Sequence, residues 1–304
     1  MTTGQTPDSV LYRYDFDSLD EVPAGTLSAR VTPRRLLSGA TATTGKSLSI
    51  GAVVAGKSLQ VSLVHNARGT GSKLHTHPNE QFNYVLQGTL IADIDGQVLR
   101  VPVGHIIHIP AGMVHSHVSS PEGDVLFVAT KDTRHGIVGP PVDGKHNGPR
   151  TLPGFGEHSG NEWKTGADGL PLAQSPRVNN DHTGYVYDTA RLTGAAAGAW
   201  SGRITPRPDL AAMLAAPAAT IEGEKLQVGV IRLAATPEGS PQRCSRERFF
   251  MVLEGALRAE LAGQALTVPA HSGLHVPAGL PHVIGAATEA GALCVLVEGD
   301  GSAG

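Results

Sequence analysis

The chain repeats itself, and the repeat decides what it can fold into. Leu59-Gln60-Val61 returns as Leu226-Gln227-Val228, Val85-Leu86-Gln87-Gly88 as Val252-Leu253-Glu254-Gly255, and the seven residues ending at His115 as the seven ending at His282, all at an offset of 167. Upstream, Tyr12-Arg13-Tyr14-Asp15 returns as Tyr185-Val186-Tyr187-Asp188 and Thr32-Pro33-Arg34 as Thr205-Pro206-Arg207 at an offset of 173, so the second copy has lost six residues before Gly223. A register held over such a distance means two copies of one domain. Two copies fit within 304 residues at about 100–150 residues each.

Each copy reads as β. Residues 47–55, 58–67, 81–88, 89–102, 105–110 and 125–130 are short alternating or β-branched runs bounded by Gly, Pro, Asp and Asn. Asp95-Gly96 is a hairpin turn signal, because Asp-Gly accepts positive φ. The 38 glycines and 21 prolines supply turns, and aromatics at only 4% leave the core to Val, Leu and Ile. Many short strands at regular spacing predict an all-β sandwich or barrel. The run after Pro208, with Asp209 as a candidate cap, is the one short helix expected in the second copy. Residues 133–184 are Gly/Pro-rich, without periodicity, and longer than an ordinary loop. They form a linker that either packs across the two domains or covers a barrel mouth. The expected division is an N-terminal domain at 1–132, a linker at 133–184 and a C-terminal domain at 185–304.

Chemistry concentrates in the first copy. His75 and His77 are spaced i, i+2, so on a strand both imidazoles face one way. Gln81 follows four positions later with a carbonyl oxygen to offer, and His115 arrives after a Pro-x-Gly turn. Three imidazoles and an oxygen suit a borderline divalent metal.

These residues resemble the motifs of the cupin superfamily. The first motif is His-x-His, a Glu-like ligand four positions on, then six residues to a Gly, here His75, His77, Gln81 and Gly88. The second is matched by Gly104, Pro110, Gly112 and His115, with Ser119 where Asn is usual. The resemblance implies two tandem small antiparallel jelly-roll barrels, with one divalent transition metal held by His75, His77, Gln81 and His115. Fe(II) stands first among Fe, Mn, Ni and Zn. Where the family has Glu, this chain has Gln81 beside Glu80. The two face opposite sides of a strand, and the register to Gly88 favours Gln81. A neutral amide leaves the ion its full charge, which favours an anionic substrate group.

Other residues divide by comparison with the second copy. His117 shares a strand face with His115 and has Ile284 as its counterpart, which makes it a candidate pocket acid/base. His108 is repeated as His275 and points to a structural role, while His105 is expected at an exposed strand entrance. Phe82, Tyr84 and Met113 are either pocket lining or barrel core. In the second copy the ligand positions become Gln242, Cys244, Arg248 and His282. Guanidinium cannot ligate a metal, and two donors are too few, so that barrel is read as metal-free. Its expected part is dimerisation and stability, or holding an anion through Arg243, Arg246 or Arg248.

A net charge of −3 without Lys/Arg runs gives no case for nucleic acid or a membrane surface. Two cysteines make no disulfide framework, and neither a signal peptide nor an apolar run of about 20 residues is visible. The expectation is a cytoplasmic homodimer acting on a small organic molecule (an enol, diketone, phenol or carboxylate), most simply as a dioxygenase. A non-redox isomerase, hydrolase or lyase is the alternative, and a non-catalytic small-molecule-binding protein the third.

Overall fold

Alternating strands bury one face in a barrel and the other against a neighbour, and both faces are used here. The computed structural model describes residues 10–37, 49–72, 75–94, 96–113, 115–134, 156–157, 184–194, 200–235 and 241–300. The first barrel packs a seven-stranded sheet against a five-stranded one. The larger runs Val186–Asp188, His105–Ile109, Gln81–Gln87, Val125–Asp132, Leu59–Asn66, Ser49–Ala55, Arg30–Leu36 in spatial order. The smaller runs Gly156–Glu157, His75–Thr76, His115–Ser119, Thr89–Ile94, Gln97–Pro102. In the second barrel another seven-stranded sheet faces Gln264–Pro269, Ala256–Leu261 and His282–Ala286. Among the described residues, no helix is long and apolar enough to cross a membrane.

The sheets cross the expected domain boundaries. Arg13–Asp15 pairs with Ser272–Val276 and so completes the second barrel's sheet, while Val186–Asp188 pairs with His105–Ile109 and completes the first. The first strand of each repeat is therefore exchanged into the other repeat's sheet. Gly156–Glu157 of the linker pairs through its backbone with His75–Thr76. The rest of the linker beyond Arg134, including His135, His146 and His158, lies outside the described residues. The helix expected after Pro208 is a correction: only a 3-10 turn forms at Pro208–Leu210. Asp209 pairs with Arg207 at 2.9 and 2.7 Å instead of capping, and Leu214 is already bridged to Leu233.

The main apolar clusters follow from this layout. One fills the first barrel with Val85, Ile107, Ile109 and Phe127, and one fills the second with Phe250, Leu257 and Leu274. The largest lies between the two seven-stranded sheets and draws Val54, Val61, Phe82 and Tyr84 together with Val228, Phe249, Met251 and Val297.

A reciprocal polar clamp sits within that interface. Glu80 accepts the backbone N–H of Glu224 at 2.7 Å and those of Lys225 and Leu226 from the second domain, with His108 Nε2 at 3.3 Å. One repeat later Glu247 accepts Lys57 N–H at 2.9 Å, and Ser58 N–H, Ser58 hydroxyl and His275 Nε2 at 2.7 Å each. Behind them, Ser201 lies 2.9 Å from His108 Nδ1 and Ser28 2.9 Å from His275 Nδ1. A Cβ at Gly223 or Gly56 would run into the facing carboxylate, so both turns need glycine.

Burial alone would raise the Glu247 carboxyl. The bonds from His275, Ser58 and Lys57 outweigh it and hold the group down to about 2. A depressed carboxylate contributes stability above its unfolded value and loses it as pH falls through the folded one. Between about pH 5 and pH 2 the native protein should lose on the order of 3 kcal/mol through this group, a loss absent from Glu247→Gln. Denaturant unfolding across that window checks it, and parallel curves for the two proteins would refute it.

Candidate metal centre

The strand Gln81–Gln87 settles which side chains enter the first barrel. Gln81, Asn83 and Val85 face inward, whereas Glu80, Phe82 and Tyr84 face the second domain. Glu80 is therefore occupied by the interdomain clamp and Gln81 takes the inner position. Gly88 follows with φ 74, where a Cβ would strike the Asp124 carbonyl, so the motif glycine marks a real backbone demand. His115 stands opposite His75 in the neighbouring sheet. The backbone thus brings His75 to the site, while its side chain lies outside the described residues.

His77, Gln81 and His115 are all buried and meet inside the barrel. His77 Nδ1 lies 2.9 Å from the Asn79 carbonyl and His115 Nδ1 2.9 Å from the Met113 carbonyl. A carbonyl only accepts, so Nδ1 carries a proton in each ring and Nε2 is the nitrogen turned away from that carbonyl. The two rings meet edge to face with centroids 4.7 Å apart. His77 Nε2 is 3.1 Å from Gln81 Oε1. Two ligand atoms each about 2.1 Å from one ion, at right angles, stand about 3 Å apart, so this pair fits a shared cation. Asn83 Oδ1 accepts Gln81 Nε2–H at 2.8 Å, which turns the amide oxygen toward His77. Backbone carbonyls on the imidazoles and an amide behind the ligand amide are the support that metal-holding side chains need. Among the described residues, which leave out the His75 side chain, no three His, Cys, Asp or Glu side chains form a metal cluster.

His117 lies inside the same barrel. Its ring is parallel to His115 at 6.5 Å and edge-on to Phe127 at 5.5 Å, and its Nδ1 is 3.3 Å from the Ser72 hydroxyl. Met113 packs half-buried against the first barrel's core beside its own carbonyl's bond to His115. Phe82 and Tyr84 are corrected. Phe82 stacks on His108 at 4.3 Å, and both belong to the interdomain cluster, because a period of two puts them on the face opposite Gln81. His108 is a clamp residue, and His105 is half-buried with Nδ1 3.1 Å from the Val103 carbonyl.

Sequence reading missed two residues. Asn83 was legible as the i+2 neighbour of Gln81. Lys131 stands directly opposite Gln81 on one side and Gln60 on the other. Opposed residues share a face, so its side chain enters the barrel, in step with Ala129 and Phe127. Burial pushes its ammonium down to about 7, with Asp132 opposing the shift.

The second barrel is built differently at the same positions. Arg248, in Gln81's place, donates through Nε to Glu298 at 2.6 Å, and Glu298, in Lys131's place, also holds Arg207 at 2.8 Å. Thus the protein's own charges occupy the centre. Beside them lies a cavity of about 290 Å³ lined by Arg207, Gln227, Cys244, Arg246 and Arg248. His282 keeps the geometry of His115, with Nδ1 2.8 Å from the Leu280 carbonyl, and burial and Arg248 hold its basicity down.

A family model described as a cupin domain matches residues 62–131. No curated protein matches the chain. Among solved structures, salicylate 1,2-dioxygenase from Pseudaminobacter salicylatoxidans is similar with a TM-score of 0.53 at 14% identity, over 84% of this chain and 77% of that one. AerE from Microcystis aeruginosa gives 0.52 at 11% identity, over 82% and 91%. A putative glyoxylate-induced protein from Pseudomonas aeruginosa gives 0.50 at 15% identity, over 83% and 80%. At these identities the likeness is one of fold. A cupin domain is thus matched at residues 62–131, the stretch that carries both motifs, and the second barrel repeats the strand order of the first barrel's larger sheet.

Proposed function

We propose that the first barrel is a metalloenzyme centre in which His75, His77, Gln81 and His115 hold one divalent transition metal, Fe(II) before Mn, Ni or Zn. The carrying observation is the burial of His77, His115 and Gln81 together, with Nδ1 of both imidazoles on backbone carbonyls and Gln81 Oε1 3.1 Å from His77 Nε2. The reaction is the oxygenation of a small enol, diketone, phenol or carboxylate, in keeping with the fold shared with salicylate 1,2-dioxygenase. Bound there, a redox-active ion supplies Lewis acidity toward the substrate oxygen and a place for dioxygen.

The chain's own residues do the rest. Asn79 and Met113 carbonyls hold the imidazoles in their ligating tautomer, and Asn83 holds the amide. His117 Nε2 takes the proton of a substrate hydroxyl or enol, with Ser72 orienting the ring. The apolar first-barrel core excludes water from one side. The second reading, non-redox isomerisation, hydrolysis or lysis, is favoured by the neutral amide at Gln81, which leaves the ion a stronger Lewis acid. Oxygen uptake by Fe(II)-loaded protein over a panel of phenols, diketones and 2-oxo acids decides between them. Fe(II)-dependent uptake is expected, and substrate turnover without it would move the assignment to the second reading. A cytoplasmic homodimer remains part of the proposal.

A further inference from the structure

Beside the proposed metal ligands, the first barrel holds a buried lysine with no ion-pair partner among the described residues. Lys131 is buried, faces inward opposite Gln81 and Gln60, and forms no ion pair with any described residue. Asp132, next in sequence, faces the other way: its carboxylate accepts Glu80 N–H at 2.8 Å and pairs with Arg134 at 2.8 Å. The repeat provides an internal comparison. At the same position the second barrel has Glu298, which Arg248 and Arg207 neutralise. The second barrel pairs the charge at this position internally, and the first has there a buried, inward-facing lysine with no ion-pair partner among the described residues. A buried ammonium without a counter-charge is costly and is met by an anion when one binds.

We propose that Lys131 receives the carboxylate of the substrate bound in the first barrel. This rests on the metal-centre reading for the substrate's other end. Directly opposed residues have Cβ atoms about 5 Å apart, so one small molecule can touch both Lys131 and the ion at Gln81. That favours, within the wider set of oxygen donors, small carboxylates with a second oxygen donor, of which a 2-oxo acid is a minimal probe. Lys131 then acts as a binding and orienting group, fixing which substrate oxygen faces the metal ligands and which proton faces His117.

The test uses pyruvate and 2,3-butanedione, which are alike except that a methyl ketone replaces the carboxylate. Each is titrated calorimetrically into wild-type protein and Lys131→Met, both metal-free and Co(II)-loaded. Pyruvate should bind the variant roughly 10- to 100-fold more weakly in both states, the loss expected for a charged hydrogen bond, with butanedione unchanged. Lys131→Gln serves as the second uncharged variant should Lys131→Met fail to fold. Equal pyruvate affinity in wild type and variant, or no pyruvate binding to wild type in either state, overturns the proposal. A wild type that holds no Co(II) but still binds pyruvate through Lys131 would remove the metal reading and leave this one standing.

Discussion

Glu80→Ala is expected to destabilise the protein by about 3–5 kcal/mol and to leave its metal content unchanged. The carboxylate is 1% exposed and accepts three backbone N–H groups from the other domain. Its removal leaves those donors and His108 Nε2 buried opposite a void, and unsatisfied buried donors carry the full desolvation cost. Nothing else in the Gly223 turn can replace it, since the carboxylate fills the space where any Cβ would sit. At about 2–4 °C per kcal/mol for a chain of this class, the melting temperature should fall by roughly 10 °C. Glu247→Ala should behave alike, because its donors come from the mirrored turn. Calorimetric melting with elemental analysis of the same samples measures both quantities. Metal lost from Glu80→Ala, with melting unchanged, would mean that Glu80 and not Gln81 faces the barrel.

That pair shows what a linear reading can reach. Counting from Gly88 places Gln81 inward, since strand periodicity is a local rule and local rules are written in the sequence. By the same rule Phe82 and Tyr84 face away from Gln81, which the choice between pocket lining and barrel core did not take into account. That face is covered by a second barrel, which depends on how two copies dock. The exchanged strands at Arg13–Asp15 and Val186–Asp188 were hidden for the same reason: the repeat shows that the blocks are equivalent, and pairing partners are non-local. His108 was legible because its repetition at His275 separates a shared structural need from a site found in one copy. Lys131 was missed because a lysine near a strand end reads as solvated. Only the pairing with Gln81 and Gln60 places it inside.

The largest effect on the centre itself is expected from His77→Ala and His115→Ala, each of which should leave the protein without metal when purified with none added. Both imidazoles are buried with Nδ1 committed to a carbonyl, so in the proposed centre each ligates through Nε2 alone. Gln81→Ala should weaken retention next. Asn83→Ala should cost about 10- to 100-fold in affinity, the effect of a residue that orients a ligand without being one. Cys244→Ala should change nothing, because Arg248 and Glu298 fill the second barrel's centre with their own ion pair. Elemental analysis of the five variants side by side gives the ordering. Metal retained by both histidine variants would refute the centre, and metal lost with Cys244 would move it to the second barrel. The order within the set matters as much as the losses, since a collapsed barrel would treat Asn83, Gln81 and His77 alike, whereas a coordination site grades them by their distance from the ion.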